Sequence, residues 1–207
     1  MIATVLASVS RLIAGAAVEW RCDPYGDAQR IYYGNHSSHL DFIVIWASLP
    51  PAMRRFARPV AGRDYWEKGA LRRYLSSRVF RAVLIDRRPQ GAEQSRGAAR
   101  AAVERMAREM GRNDSLIVFP EGTRSQMGEV GPFKSGLYHL SRARPDVELV
   151  PVYLENLNRI LPKGESLPVP MLSRVTFGPP LPTPADEDKD LFLARARDAL
   201  LDLKPAA

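Results

Sequence analysis

The chain has 207 residues, of which 45% are apolar and 26% charged, and a formal net charge of +7. That length supports one domain with a sizeable core, and the composition excludes a chain disordered throughout. Cys22 is the only cysteine, which excludes an intrachain disulfide framework, and the cationic excess points to anionic partners such as nucleic acid, anionic lipid or phosphorylated substrates.

Residues 1–22 read as an amphipathic helix. Ile2, Val5, Leu6, Val9, Leu12, Ile13, Ala16 and Trp20 recur at helical spacing, with Thr4, Ser8 and Arg11 off the stripe. Arg11 interrupts the apolar run, so the segment fits neither a secretory signal nor a transmembrane helix. Two settings suit the stripe: packed on the protein body, or lying in a membrane interface with Trp20 at headgroup level.

Residues 23–207 form the main domain. Short apolar runs at 30–33, 59–62, 82–85, 115–119, 149–154 and 175–177 read as strands. Helical patterns follow most of them: one from near Ser38, then 66–78, 93–111 and 135–144. The third carries Ala99, Ala102, Val103, Met106 and Met110 on one face. A last helix is opened by the carboxylates of Asp186 and Asp188, and its apolar face runs from Phe192 to Leu203. The proline-rich stretch 161–170 reads as a loop. This alternation predicts an α/β single domain, with a mostly parallel central sheet flanked by helices and the N-terminal amphipathic helix in front.

The segment Gly34-Asn35-His36-Ser37-Ser38-His39-Leu40-Asp41 follows a strand and opens a helix. On one continuous helix His36 and Asp41 would stand about 140° apart and could not touch. They meet if His36 lies in the turn and Asp41 in the first helical turn; the carboxylate then fixes one imidazole tautomer and His36 can remove a proton from a hydroxyl. Two other readings share these residues. Ser38-x-x-Asp41 fits a capping box, with Asp41 serving only backbone N–H groups. His36, His39 and Asp41 are also metal-ligand types, which would suit a metal-dependent hydrolase.

Further on, Phe119-Pro120-Glu121-Gly122-Thr123-Arg124-Ser125 follows a strand directly. A proline and a glycine around a carboxylate make a sharp turn at a strand's carboxyl end, where ligands of parallel sheets bind. Gly122 lets backbone approach a ligand, and Arg124 offers a planar fork for phosphate.

Taken in order, these blocks resemble the glycerolipid acyltransferase family, specifically its lysophosphatidate (1-acyl-sn-glycerol-3-phosphate) acyltransferases. Asn35–Asp41 matches its N-H-x4-D block, Leu84-Ile85-Asp86-Arg87 a block ending in arginine, Phe119–Ser125 its F-P-E-G-T-R-S block, and Val150-Pro151-Val152 a proline-containing strand. The chain departs from the family at His39, where the family often has an aromatic or other bulky residue, and at Arg81, where it usually has a glycine several residues before the block arginine. The resemblance implies transfer of a fatty acyl group from a coenzyme A or acyl carrier protein thioester to the free sn-2 hydroxyl of lysophosphatidate, giving phosphatidate. Another lysolipid is the alternative acceptor. His36 and Asp41 are the implied catalytic pair. Arg63, Arg87, Glu121, Gly122, Thr123 and Arg124 are the implied substrate-binding residues, with Lys134 and Gly136 in the same region. The family needs neither metal nor prosthetic group; the thioester is a co-substrate. Expected partners are the lysophospholipid, the acyl donor and an anionic membrane surface at the cytoplasmic face, the last served by the basic stretch 54–88. No nucleic-acid recognition motif is present. Ile43, Val44, Ile45 and Trp46 are candidates for either an acyl tunnel or the core.

Overall fold

The computed structural model describes residues 15–38, 40–86, 92–125, 129–157 and 173–205, with the side chains of 92–96 outside that description. Among the described residues seven strands make one sheet: β1 (Ala16–Trp20), β2 (Arg30–Gly34), β3 (Ala57–Gly62), β4 (Val83–Ile85), β5 (Ser115–Val118), β6 (Glu148–Glu155) and β7 (Ser173–Phe177), in the order β1-β7-β6-β2-β5-β3-β4. Neighbouring strands are parallel except β6 and β7, so β1 and β7 run against the other five.

Side chains alternate across the central strands with period two. Tyr32 of β2 and Ile117 of β5 face a core built with Phe42, Ile45, Trp46, Phe80, Val152 and Phe177. Ile31, Tyr33, Leu116 and Val118 face a second core, completed by three helices. These are α5 (Ala92–Met110), α6 (Gly136–Ala143) and α7 (Lys189–Leu201). Both faces of β2 and β5 are covered and every residue of the two strands is buried, as parallel central strands require. Helix α7 starts where its N-cap Asp188 accepts the N–H groups of Asp190 and Leu191.

On the first face, α1 (Asp41–Ser48) follows β2 and the single turn α2 (Pro51–Arg54) leads into β3. Val44, Ile45 and Trp46 are core residues of α1. After β3 the pattern read as one helix over 66–78 is broken into α3 (Arg63–Trp66), α4 (Ala70–Tyr74) and a π-helical turn, Leu75–Val79. The break falls at Gly69, whose φ of 83° is outside helical space.

The N-terminal reading needs correction. Ala16 and Trp20, assigned to a helical stripe, lie on a strand, and the Trp20 ring stacks on Phe177 at 3.8 Å and 6°. Pairing with β7 supplies hydrogen-bond partners for a strand that would otherwise end the sheet. Residues 1–14 and the loop 161–170 lie outside the described residues. Among the described residues no helix is long and apolar enough to cross a membrane.

Candidate active site

The carboxyl ends of β2, β5, β3 and β4 converge on one end of the sheet, the usual place for ligands in parallel α/β folds. Asn35 extends β2 by a side chain: its amide accepts Leu154 N–H at 2.8 Å and donates to Leu154 O at 2.9 Å. An amide side chain copies a peptide group in this way, so β2 and β6 stay paired while the main chain turns off into the next block.

His36 comes directly after this stitch. Its Nδ1 lies 2.8 Å from Asp41 Oδ2, and the same oxygen accepts Ser37 N–H at 2.7 Å and Ser38 N–H at 2.8 Å. Asp41 is the first residue of α1 and fully buried. Asp41 thus gathers the backbone of the turn and faces the imidazole with one oxygen. Leu40 is the N-cap and contributes no side-chain bond, so Ser38 is not the cap of α1; its Oγ instead accepts Leu40 N–H at 3.3 Å. A carboxylate only accepts, so Nδ1 is the donor of the pair and Nε2 carries the free lone pair of the neutral ring. The imidazole is further fixed by stacking on Phe119 at 4.4 Å and 19°.

The second block closes on the first through backbone. Glu121 is 6% exposed; its Oε1 accepts His36 N–H at 2.7 Å and its Oε2 accepts Gly131 N–H at 2.9 Å. Burial raises its pKa, the two backbone bonds opposing that shift. Ser125 N–H donates to His36 O at 2.7 Å, which ties the far side of the same turn to the histidine. Gly122 has φ 71°, and a Cβ there would stand 2.8 Å from Lys134 Nζ. The lysine stem thus lies across the turn where only glycine leaves room.

A trough of about 620 Å³ opens beside His36. Ala98, Ala99, Ala102, Val103 and Met106 of α5 form one wall, and Leu137 and Leu140 of α6 another. Val60, Ile85 and Val118 form the floor, and His36, Asp86, Gly122 and Lys134 also line it. The stripe on α5 divides its work: Met110 is wholly core, Val103 and Met106 serve core and trough, and the small alanines beyond them leave the space open. This volume and apolar character are those of a small-molecule site. The trough wall is α5 and α6, with no part taken by residues 43–46 of α1.

Of the sequence-predicted site residues, the structure brings together His36, Asp41, Glu121 and Gly122. Thr123 is exposed and Arg124 half-buried, one residue from the Ser125 contact to His36, with no ion pair for Arg124 among the described residues. Arg63 follows β3 and is held by two carboxylates, Glu67 at 2.6 Å and Asp86 at 3.1 Å. Arg87 and His39 lie outside the described residues. Among the described residues no cluster of three metal-ligand side chains occurs. The roles of Asn35, Phe119 and the alanines of α5 were missed in the sequence; the run of small residues on an otherwise apolar stripe is the signal that marks the last of them.

A family model described as Acyltransferase matches residues 24–155. A 1-acyl-sn-glycerol-3-phosphate acyltransferase of Limnanthes douglasii is 29% identical over 177 residues, covering 83% of this chain and 57% of the relative. The human 1-acyl-sn-glycerol-3-phosphate acyltransferase alpha is 28% identical over 174 residues, with the same coverages of 83% and 57%. The chain thus spans little more than half the length of these relatives. The crystal structure of the 1-acyl-sn-glycerophosphate (LPA) acyltransferase PlsC from Thermotoga maritima shares the fold, with a TM-score of 0.69 at 18% identity over 98% of this chain and 82% of that one. The matched residues contain both blocks that build the His36 site, and the chain belongs to the Acyltransferase family.

Proposed function

We propose that the protein transfers a fatty acyl group from a coenzyme A or acyl carrier protein thioester to the free sn-2 hydroxyl of lysophosphatidate, at the cytoplasmic face of a membrane. The observation that carries this reading is the His36–Asp41 pair at the mouth of an apolar trough.

His36 Nε2 takes the proton of the lysolipid hydroxyl as its oxygen attacks the thioester carbonyl. Asp41 holds the ring by Nδ1 and stabilises the imidazolium that forms. The tetrahedral intermediate collapses with cleavage of the carbon–sulfur bond, and the thiolate leaves, taking up the proton that His36 received. A thiol pKa of about 8.5 makes it a good leaving group. No covalent acyl-enzyme is required. The trough takes the acyl chain, which gains roughly 0.8 kcal/mol per buried methylene.

Arg124, in the turn tied to His36, is the first choice for the acceptor phosphate; Arg63 and Arg87 are the other two. Arg63 must release Glu67 or Asp86 to serve, which favours Arg124. Glu121 has both oxygens engaged with backbone, which supports a positioning role over direct contact with the acceptor.

Purified protein in vesicles, given lysophosphatidate and either thioester, is expected to form phosphatidate, and His36→Ala to lose about 10²–10⁴ in rate while remaining folded. Undiminished product from the folded variant would remove His36 from the chemistry. Product only with a different lysolipid would move the reading to that acceptor.

A further inference from the structure

The strongest surface feature outside the trough is a knob between β3 and β4. Residues 67–74 are all exposed, and α4 buries none of its five residues. Leu71 is 69% exposed and Tyr74 45%, three positions apart and hence on one side of the helix. Lys68, Arg72, Arg73 and Arg78 belong to the same stretch, the Arg72 guanidinium lying over the Tyr65 ring at 4.2 Å, and no acidic residue occurs from 68 to 78. So short a helix has no stability of its own in water. It is held from below: the π turn buries Ser76, sets Leu75 and Val79 against the core, and ends at buried Phe80, which meets Phe42 and Trp66 edge to face. The foot is anchored while the tip presents two large apolar side chains within a stretch that carries four cations.

We infer that α4 is a docking element for an anionic bilayer surface, with Leu71 and Tyr74 entering the headgroup region and the four cations facing lipid phosphates. Charge complementarity and shape both favour this occupant. An apolar-cationic mixture on one short helix is the composition of interfacial segments, in which arginine stems cover apolar surface while their heads stay in the polar layer. Residues 67–74 are exposed throughout and line neither cavity described, whereas a helix from a partner protein needs a groove. Its position suits a lipid-modifying site: α3 leads to it directly from the carboxyl end of β3, and Arg63 of α3 is bonded to Asp86 on the trough wall. The inference deepens the acyl-transfer reading by naming a membrane contact, but its test needs no turnover, so the two fail separately.

Leu71→Cys in a Cys22→Ser background, labelled with an environment-sensitive fluorophore, is titrated with vesicles of phosphatidylcholine alone or with about one third phosphatidylglycerol. The expected result is a blue shift, with quenching by brominated acyl chains, on the anionic vesicles alone. Arg72→Ala and Arg73→Ala are each expected to weaken the probe's titration about fivefold, equivalent to about 1 kcal/mol per charge. Hydrogen–deuterium exchange on the unsubstituted protein gives a second reading: amides of 68–78 should slow on anionic vesicles. A probe that stays in water on vesicles that bind the protein, unchanged exchange in this segment, or no vesicle binding overturns the proposal. A shift produced by an acidic carrier protein and not by vesicles overturns it in favour of a protein partner.

Discussion

Asp41→Asn separates the two duties that Asp41 performs. Its Oδ2 is shared by three donors at 2.7–2.8 Å, and its Oδ1 has no hydrogen-bond partner among the described residues. Asparagine with its carbonyl on the three donors keeps the geometry of the turn and loses the charge. Each bond then falls from about 1.5–3 to about 0.5–1.5 kcal/mol, and the new NH₂ sits buried without an acceptor, at about 1–3 kcal/mol. The neutral amide is cheaper to bury than a carboxylate, which offsets part of this. The variant should be less stable, by roughly 2–4 °C of melting temperature for each kcal/mol lost. Transfer should suffer more, because the imidazolium no longer faces a negative charge: about 10²–10⁴ in rate, or roughly 2.7–5.5 kcal/mol of barrier. Thiol release from acyl-CoA in the presence of lysophosphatidate, measured beside a thermal melt, reads both quantities. A variant that melts lower yet transfers within about tenfold of the parent would reduce Asp41 to a cap and refute the pair.

Burial raises the Glu121 pKa in the folded state, so between the ordinary and the raised value the native protein holds more protons than the unfolded chain. The parent should therefore lose stability as pH rises from about 4.3 through the raised value. Glu121→Gln should lack that decline, as seen in melting temperature against pH. Arg81 has φ 50° and bonds Asp114 at 2.7 Å. Arg81→Ala loses the ion pair and keeps the strain, whereas Arg81→Gly loses the pair and relieves the strain. The glycine variant should exceed the alanine variant by about 1 kcal/mol in denaturant titration. Ala102→Leu narrows the trough and should shift preference toward shorter acyl chains, by about fourfold per excluded methylene, in competition assays with mixed thioesters.

The strand positions were legible because β2, β5 and β6 are short buried runs bounded by turn residues, and the sequence reading set most ends within two residues of those observed. The helical reading failed where a local signal lost to pairing or to a single dihedral. Residues 16–20 carry apolar side chains compatible with either period, and the open edge of β7 decided for a strand. Residues 66–78 are rich in helix formers such as Glu67, Lys68, Ala70, Leu71, Arg72 and Arg73, and the break falls at Gly69, whose φ is 83°. At the site, the blocks announced His36, Asp41 and Glu121, but contacts across long sequence separations carry no local pattern. The bond from His36 N–H to Glu121 and the stitch from Asn35 to Leu154 span 85 and 119 residues. Arg81 is instructive in the other direction. A glycine would enter left-handed space without strain just before β4, and the arginine here adopts it all the same.

The reversed polarity of β1 and β7 has a mechanical consequence. Because β1 runs against β2, its first residue, Ala16, lies at the end of the sheet where β2 delivers His36. That end of β1 stands about three strand spacings or ~14 Å to one side of β2. The chain leaves β3 for α4 at the same end, about two spacings or ~10 Å to the other side. The first residue of β1 and the exit toward the knob thus lie on opposite flanks of the histidine, so a tilt of the sheet about β2 raises one and lowers the other.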